Sequence, residues 1–192
     1  MKKTFSFGSA SGEIFQLGIV VPNLDAAVKF YVENLHIGPF ICARNFVAPA
    51  GKYRGETVNP RLSLAHVFNG KIFIELIQQH DVMPSVYAEH VEKYGYGLHH
   101  FGLSIAPEDY DDYLTMYYAN GFEDVFTDHL PSGARIKYIA PKKKKDKDTM
   151  VINSGVGYFE CVEVVPGEEL FFNSMRQAAE SWDHVTIITE LK

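Results

Sequence analysis

Gln16-Leu17-Gly18-Ile19-Val20-Val21-Pro22 and His100-Phe101-Gly102-Leu103-Ser104-Ile105-Ala106-Pro107 decide the fold. Each is an apolar, strand-forming run with glycine at its third place, and each leads into proline and then a helical pattern. The offset is 84 residues (100 − 16). A second pair, Ile72-Phe73-Ile74-Glu75-Leu76-Ile77-Gln78 and Gly157-Tyr158-Phe159-Glu160-Cys161-Val162-Glu163, sets an aromatic and a glutamate inside an apolar strand. Its offset is 85 (160 − 75). Two separate matches at nearly one offset mark a duplicated chain. The units expected are residues 13–80 and 96–166, with a C-terminal helix and tail over 167–192, all in one structural domain.

The helical patterns repeat as well. After Asn23, placed as N-cap, Leu24, Ala27, Val28, Tyr31 and Leu35 recur at helical spacing, with Gly38 beyond the end. After Pro107, Tyr110, Tyr113, Leu114 and Tyr117 do the same, stopped by Gly121. Strands are expected over 39–47, 61–68 and 71–79, then over 122–129, 134–140 and 156–165. Strand, helix, strand, strand, strand, twice over, is an α+β class with largely antiparallel sheets and one helix packed on each half. The lysine-rich run from Lys142 to Lys147 reads as a solvated loop. Residues 168–182 read as a helix, and 184–191 as a strand or tail covering a sheet edge or a partner subunit.

Composition bounds the function. The chain has 192 residues, 46% hydrophobic and 22% charged, which suits a globular domain and excludes disorder. No apolar run approaches the roughly 20 residues of a membrane span. After Met1-Lys2-Lys3 the segment 4–13 is too polar for a secretory signal. Two cysteines, Cys42 and Cys161, fit a reducing cytoplasm as plain thiols rather than a disulfide framework. A net charge of −6 argues against nucleic acid. Fourteen Phe and eleven Tyr call for a large core, a pocket or a subunit interface, and a homodimer is one expectation.

Asn69-Gly70 between two apolar runs predicts a hairpin with a two-residue turn. Paired positions then sum to 139, so His66 opposes Phe73 and Leu64 opposes Glu75. Ala65, Val67, Ile72, Ile74 and Leu76 share an apolar face suited to helix packing. Leu64, His66, Phe73, Glu75 and Ile77 share the other, where an acid and an imidazole among apolar groups suggest a cavity.

The repeat singles out Gln16, Glu75, His100 and Glu160 at equivalent inner-strand places. Converging by pseudo-twofold symmetry, one imidazole, one amide and two carboxylates make a mixed N/O site for a divalent metal. Strand alternation allows only one of His99 and His100 to face inward, and the repeat selects His100. His66 is a candidate for substrate contact. His36, His80, His90, His129 and His184 carry no such context.

The segments 16–31, 97–103 and 158–160 resemble the vicinal oxygen chelate superfamily of glyoxalase I, methylmalonyl-CoA epimerase, bleomycin-resistance proteins and extradiol dioxygenases. The resemblance covers roughly residues 13–166. It implies two tandem βαβββ modules forming a half-open curved β-sheet barrel around one metal, with ligand places on Gln16, Glu75, His100 and Glu160. A Gln, Glu, His, Glu set is similar to that of one glyoxalase I type, which implies zinc first, with nickel, cobalt and manganese as alternatives. The epimerases usually put His first and Gln second, and this chain departs at both places. The implied activity is a metal-dependent lyase or isomerase stabilising an enolate or enediolate of a small carbonyl or acyl-thioester substrate. Glu160 is the first candidate for the base and Glu75 the second. Two alternatives stay open: a non-catalytic, drug-sequestering binding protein, and another metal-dependent activity such as a ring-cleaving dioxygenase or a hydrolase. The single His at a ligand place counts against an oxygenase. Phe40, Phe46, Tyr53, Phe68, Phe73, Tyr96 and Tyr158 are candidates to line an apolar pocket. Arg135 is the first candidate among scattered arginines for binding an anion.

Overall fold

Asn23 starts the first helix as its side chain suggests, accepting from the Ala26 amide at 2.8 Å. That helix, α1 (Leu24–Leu35), follows β1 (Glu13–Val20). His36, in the left-handed region at φ 55°, closes it two residues before Gly38. The computed structural model describes residues 2–47, 51–142 and 158–190. Within these the order continues as β2 (Phe40–Val47), β3 (Lys52–Tyr53), β4 (Glu56–Thr57), β5 (Arg61–Asn69), β6 (Ile72–Gln79) and α2 (Val86–Tyr94). Then follow β7 (Gly97–Ile105), α3 (Tyr110–Ala119), β8 (Phe122–His129), β9 (Arg135–Pro141), β10 (Tyr158–Glu163), α4 (Pro166–Glu180) and β11 (Ile188–Glu190).

The strands form one open, curved sheet in the order β11-β2-β5-β6-β1-β7-β10-β9-β8-β3-β4. β1 and β7 run antiparallel at its centre. Outward from each, the halves repeat: β6 lies parallel to β1 and β10 parallel to β7, followed by antiparallel β5 and β9, then β2 and β8. The class is the expected α+β. The sheet is antiparallel except at these two central pairings and at β11 against β2.

Each half buries one helix on its outer face. Leu24, Val28 and Val32 pack on Ala65, Val67, Ile74 and Leu76, the apolar hairpin face. Tyr110 and Leu114 pack on Leu103, Ile105, Ile139 and Cys161. Both cysteines are buried free thiols. The hairpin register differs from expectation by two residues. Asn69 pairs with Ile72, so positions sum to 141, and His66 faces Glu75 directly. A slip of two leaves the alternation intact, so both faces keep their expected residues.

Three features lie outside the duplicated pattern. Helix α2, capped by Ser85, fills the link between halves. The β3–β4 hairpin arises in the first half but pairs with β8 of the second, extending that edge. Helix α4 seats Phe172 and Met175 on Phe5, Phe7, Phe15, Phe68 and Phe73, covering part of the concave face. β11 covers the β2 edge, as expected of the C-terminal segment. The lysine run beyond Lys142, the strand start at 156–157 and Leu191 lie outside the described residues. No helix among those described is long and apolar enough to cross a membrane.

Candidate metal centre

Gln16 and His100 meet because β1 and β7 pair with Gln16 opposite Gly102 and Gly18 opposite His100. Each glycine leaves room for the side chain of the other half. A Cβ on Gly18 would lie 1.8 Å from His100 Cε1, and one on Gly102 would lie 2.6 Å from Gln16 Cβ. The glycine at the third place of each run is therefore a cradle for the partner's polar group. A bulge precedes each group. The pairing skips Phe15 before Gln16 and His99 before His100, positions 84 apart.

The second bulge corrects the reading of His99. An extra residue breaks the alternation, so both histidine rings reach Tyr138, at centroid distances of 5.8 Å for His99 and 5.1 Å for His100. His99 Nδ1 lies 2.8 Å from His100 Nδ1, and His99 Nε2 lies 3.2 Å from the Val86 carbonyl. A carbonyl only accepts, so His99 Nε2 carries its hydrogen. Burial, and next the charge of His100, hold His99 well below the usual histidine range. Neutral His99 then offers a bare Nδ1 to the N–H of His100. This arrangement turns His100 Nε2 toward the acids, ready to share a proton or bind a cation.

His100 Nε2 stands 3.2 Å from Glu160 Oε2 and 3.6 Å from Glu75 Oε2. Ligand atoms of Glu75, His100 and Glu160 all lie within 4.8 Å of one another, and all three residues are buried. The Gln16 amide nitrogen donates to Glu75 Oε2 at 3.0 Å and sits 3.3 Å from His100 Nε2. Rotation about its last side-chain bond exchanges that nitrogen for Oε1, a metal donor. His66, on β5, lies 2.9 Å from Glu75 Oε1 through Nε2 and stacks on Phe73 at 5.3 Å. Burial pushes the Glu75 carboxyl up, but the bond to His66 and the charges of His66 and His100 outweigh it, leaving it below the usual range. The two acids are not equivalent. Glu75 is held on both oxygens, whereas Glu160 Oε2 is buried without a hydrogen-bond partner.

Gln16, His66, Glu75 and Glu160 line the base of an apolar-walled cavity, with His100 fully buried beside them. Tyr87 and Tyr138 line it with hydroxyls 3.1 Å apart. Burial, with the charges of Glu75 and Glu160 added, pushes both phenols well above the usual range, so they stay protonated. Neither was singled out by sequence. Tyr138 has the inward parity of Ile136 on β9, a signal that needed the register, and Tyr87 sits on the unexpected α2.

Among the expected substrate contacts, His66 and Phe73 line the cavity. Arg135 does not. It sits one residue out of phase with Ile136 and Tyr138, so alternation sends it to the helix face. There it pairs with Glu163 at 2.8 Å and Asp111 at 2.7 Å, and lies over Tyr110. Tyr158 packs behind the site against His99 at 5.0 Å rather than on the cavity wall.

A family profile for the Glyoxalase/Bleomycin resistance protein/Dioxygenase superfamily matches residues 15–140. No curated protein matches the chain. Similar solved structures include a hypothetical protein from Bacillus halodurans C-125, 19% identical over 81% of this chain and 96% of that one, with a TM-score of 0.53. Methylmalonyl-CoA epimerase from Mycobacterium tuberculosis is 23% identical over 81% of this chain and 89% of its own, at 0.52. A Streptomyces coelicolor methylmalonyl-CoA epimerase variant in complex with 2-nitronate-propionyl-CoA is 21% identical over 82% and 97%, at 0.51. At such identities the structural likeness is one of fold, and it agrees with the profile. Duplicated halves, an open curved sheet and the profile match together make this chain a member of the Glyoxalase/Bleomycin resistance protein/Dioxygenase superfamily.

Proposed function

We propose that the chain is a metal-dependent lyase or isomerase of the glyoxalase/epimerase kind, acting on a carbonyl or acyl-thioester substrate through an enolate or enediolate. The carrying observation is the buried Oε2 of Glu160, which accepts no hydrogen bond and lies 3.2 Å from His100 Nε2, in one cluster with Glu75. Two buried acids in an apolar cavity cost several kcal/mol unless a cation offsets them. One imidazole, two carboxylates and an amide suit zinc first, with nickel, cobalt or manganese as alternatives. Gln16, Glu75, His100 and Glu160 would hold the ion. When bound, it supplies Lewis acidity that lowers the energy of a developing enolate.

The chain's own groups do the rest. Glu160 Oε2, which accepts no hydrogen bond although His100 Nε2 lies 3.2 Å away, accepts the proton from carbon. Glu75 is the weaker candidate for the base, since Gln16 and His66 pin both its oxygens. His66 orients Glu75 and presents its ring edge to the substrate, with Phe73 stacked behind it. The apolar wall excludes water from the carbanion.

The test is solvent deuterium exchange into a panel of 2-oxo and acyl-thioester compounds, with metal content measured in parallel. Glu160→Gln should keep its metal and lose exchange by at least about 100-fold. Wild-type exchange in a metal-loaded Glu160→Gln protein overturns the base assignment. A wild-type protein that takes up no divalent metal overturns the reading as a whole.

A further inference from the structure

We propose that this pocket takes a substrate with an uncharged, ring-sized apolar body and rejects one whose body is anionic. The inference rests on the metal reading above, in that the substrate's oxygens are taken to face Gln16, Glu75, His100 and Glu160.

The observation is a charge inventory. Beyond the polar base, the wall is built from Phe46, Leu62, Leu64, Phe126, Leu130 and Ile136. None of the described lining residues is lysine or arginine. Asp128, a buried acid, also lies on the wall. Four of the arginines are already occupied by acids elsewhere: Arg44 by Asp25 and Glu190, Arg54 by Glu89, Arg135 by Glu163 and Asp111, and Arg176 by Glu180.

The consequence is physical. A carboxylate or phosphate seated against this wall sheds water and finds no lysine or arginine among the described lining residues to replace it. A neutral ring loses nothing of the kind and gains apolar contact.

The test uses two probes that share a metal-seeking head and differ only at the far end: 4-methylbenzohydroxamate and 4-carboxybenzohydroxamate. Calorimetry on the zinc-loaded full chain measures both. Because the head is common, the ratio of affinities reads the wall. The methyl probe should bind at least about tenfold more tightly. Leu130→Lys, at a half-buried position on the wall, should shrink that ratio by at least about fivefold through a nearby ammonium. Equal affinities, or tighter binding of the carboxylated probe to wild type, overturn the proposal. A separate zinc titration without probe tests the metal reading. If zinc does not bind, that reading fails, and the same pair is ranked by ligand-observed NMR on metal-free protein. Methyl above carboxylate there still supports the wall's selectivity, and the reverse order overturns it.

Discussion

Gly18→Ala is the sharpest test of how the halves are joined. The added Cβ would lie 1.8 Å from His100 Cε1, about 1.6 Å short of an ordinary contact at 3.4 Å. The struck atom belongs to a ring with no exposed surface, backed by Tyr138 at 5.1 Å and His99 at 5.1 Å. The ring cannot retreat by that distance without breaking its Nδ1 contact to His99. Overpacking of this kind costs about 1–3 kcal/mol. A ligand displaced by more than about 0.5 Å no longer serves its metal, so zinc affinity should fall by at least about 100-fold. Isothermal titration with zinc gives the affinity, and urea melts of the metal-free protein give the stability. Gly102→Ala, meeting Gln16 Cβ at 2.6 Å, should show the same pattern more weakly. A Gly18→Ala protein with wild-type zinc affinity and stability would refute the claim that the glycine cradles the imidazole.

Other expectations follow from the same geometry. His99→Phe keeps the aromatic packing but removes the acceptor for His100 Nδ1, so zinc affinity should drop about 10- to 100-fold by titration while the melting midpoint moves little. Glu89 is pushed up by burial but drawn to about 2 by Lys93, Tyr53 and Arg54. A depressed carboxyl contributes stability above its unperturbed value of 4.5 and loses it as pH falls toward about 2. Glu89→Gln should therefore remove about 1 kcal/mol at neutral pH, and urea melts between pH 4.5 and 2 should lack that share of the wild-type decline. Arg135→Gln leaves the mostly buried Glu163 uncompensated. It should destabilise by about 1–3 kcal/mol in urea melts, with hydroxamate affinity unchanged.

Much of this architecture was legible in one dimension. Strand periodicity and helix caps are local properties, so α1, α3 and most strands appear within a few residues of their expected limits. The hairpin error of two residues did no damage to the faces, because side-chain direction has period two. Errors of odd parity mattered more. Arg135, the expected anion contact, lies one residue before Ile136 and so on the opposite face from Ile136 and Tyr138, which line the cavity. Alternation turns His99 outward only in a strand without a bulge, and no local feature of Leu98-His99-His100 announces one.

Sequence alone determined the duplication, the fold class and the four polar positions, because a repeated offset and apolar periodicity are written in neighbouring residues. Tertiary structure decided how those positions act together. Pairing of β1 with β7 sets each half's glycine against the other half's polar side chain, the bulge brings His99 behind His100, and the hairpin register puts His66 on Glu75 and so leaves Glu160 the less restrained acid. The reason is that each of these contacts joins residues from different strands, and strand pairing is decided by the packing of the whole sheet rather than by any one segment.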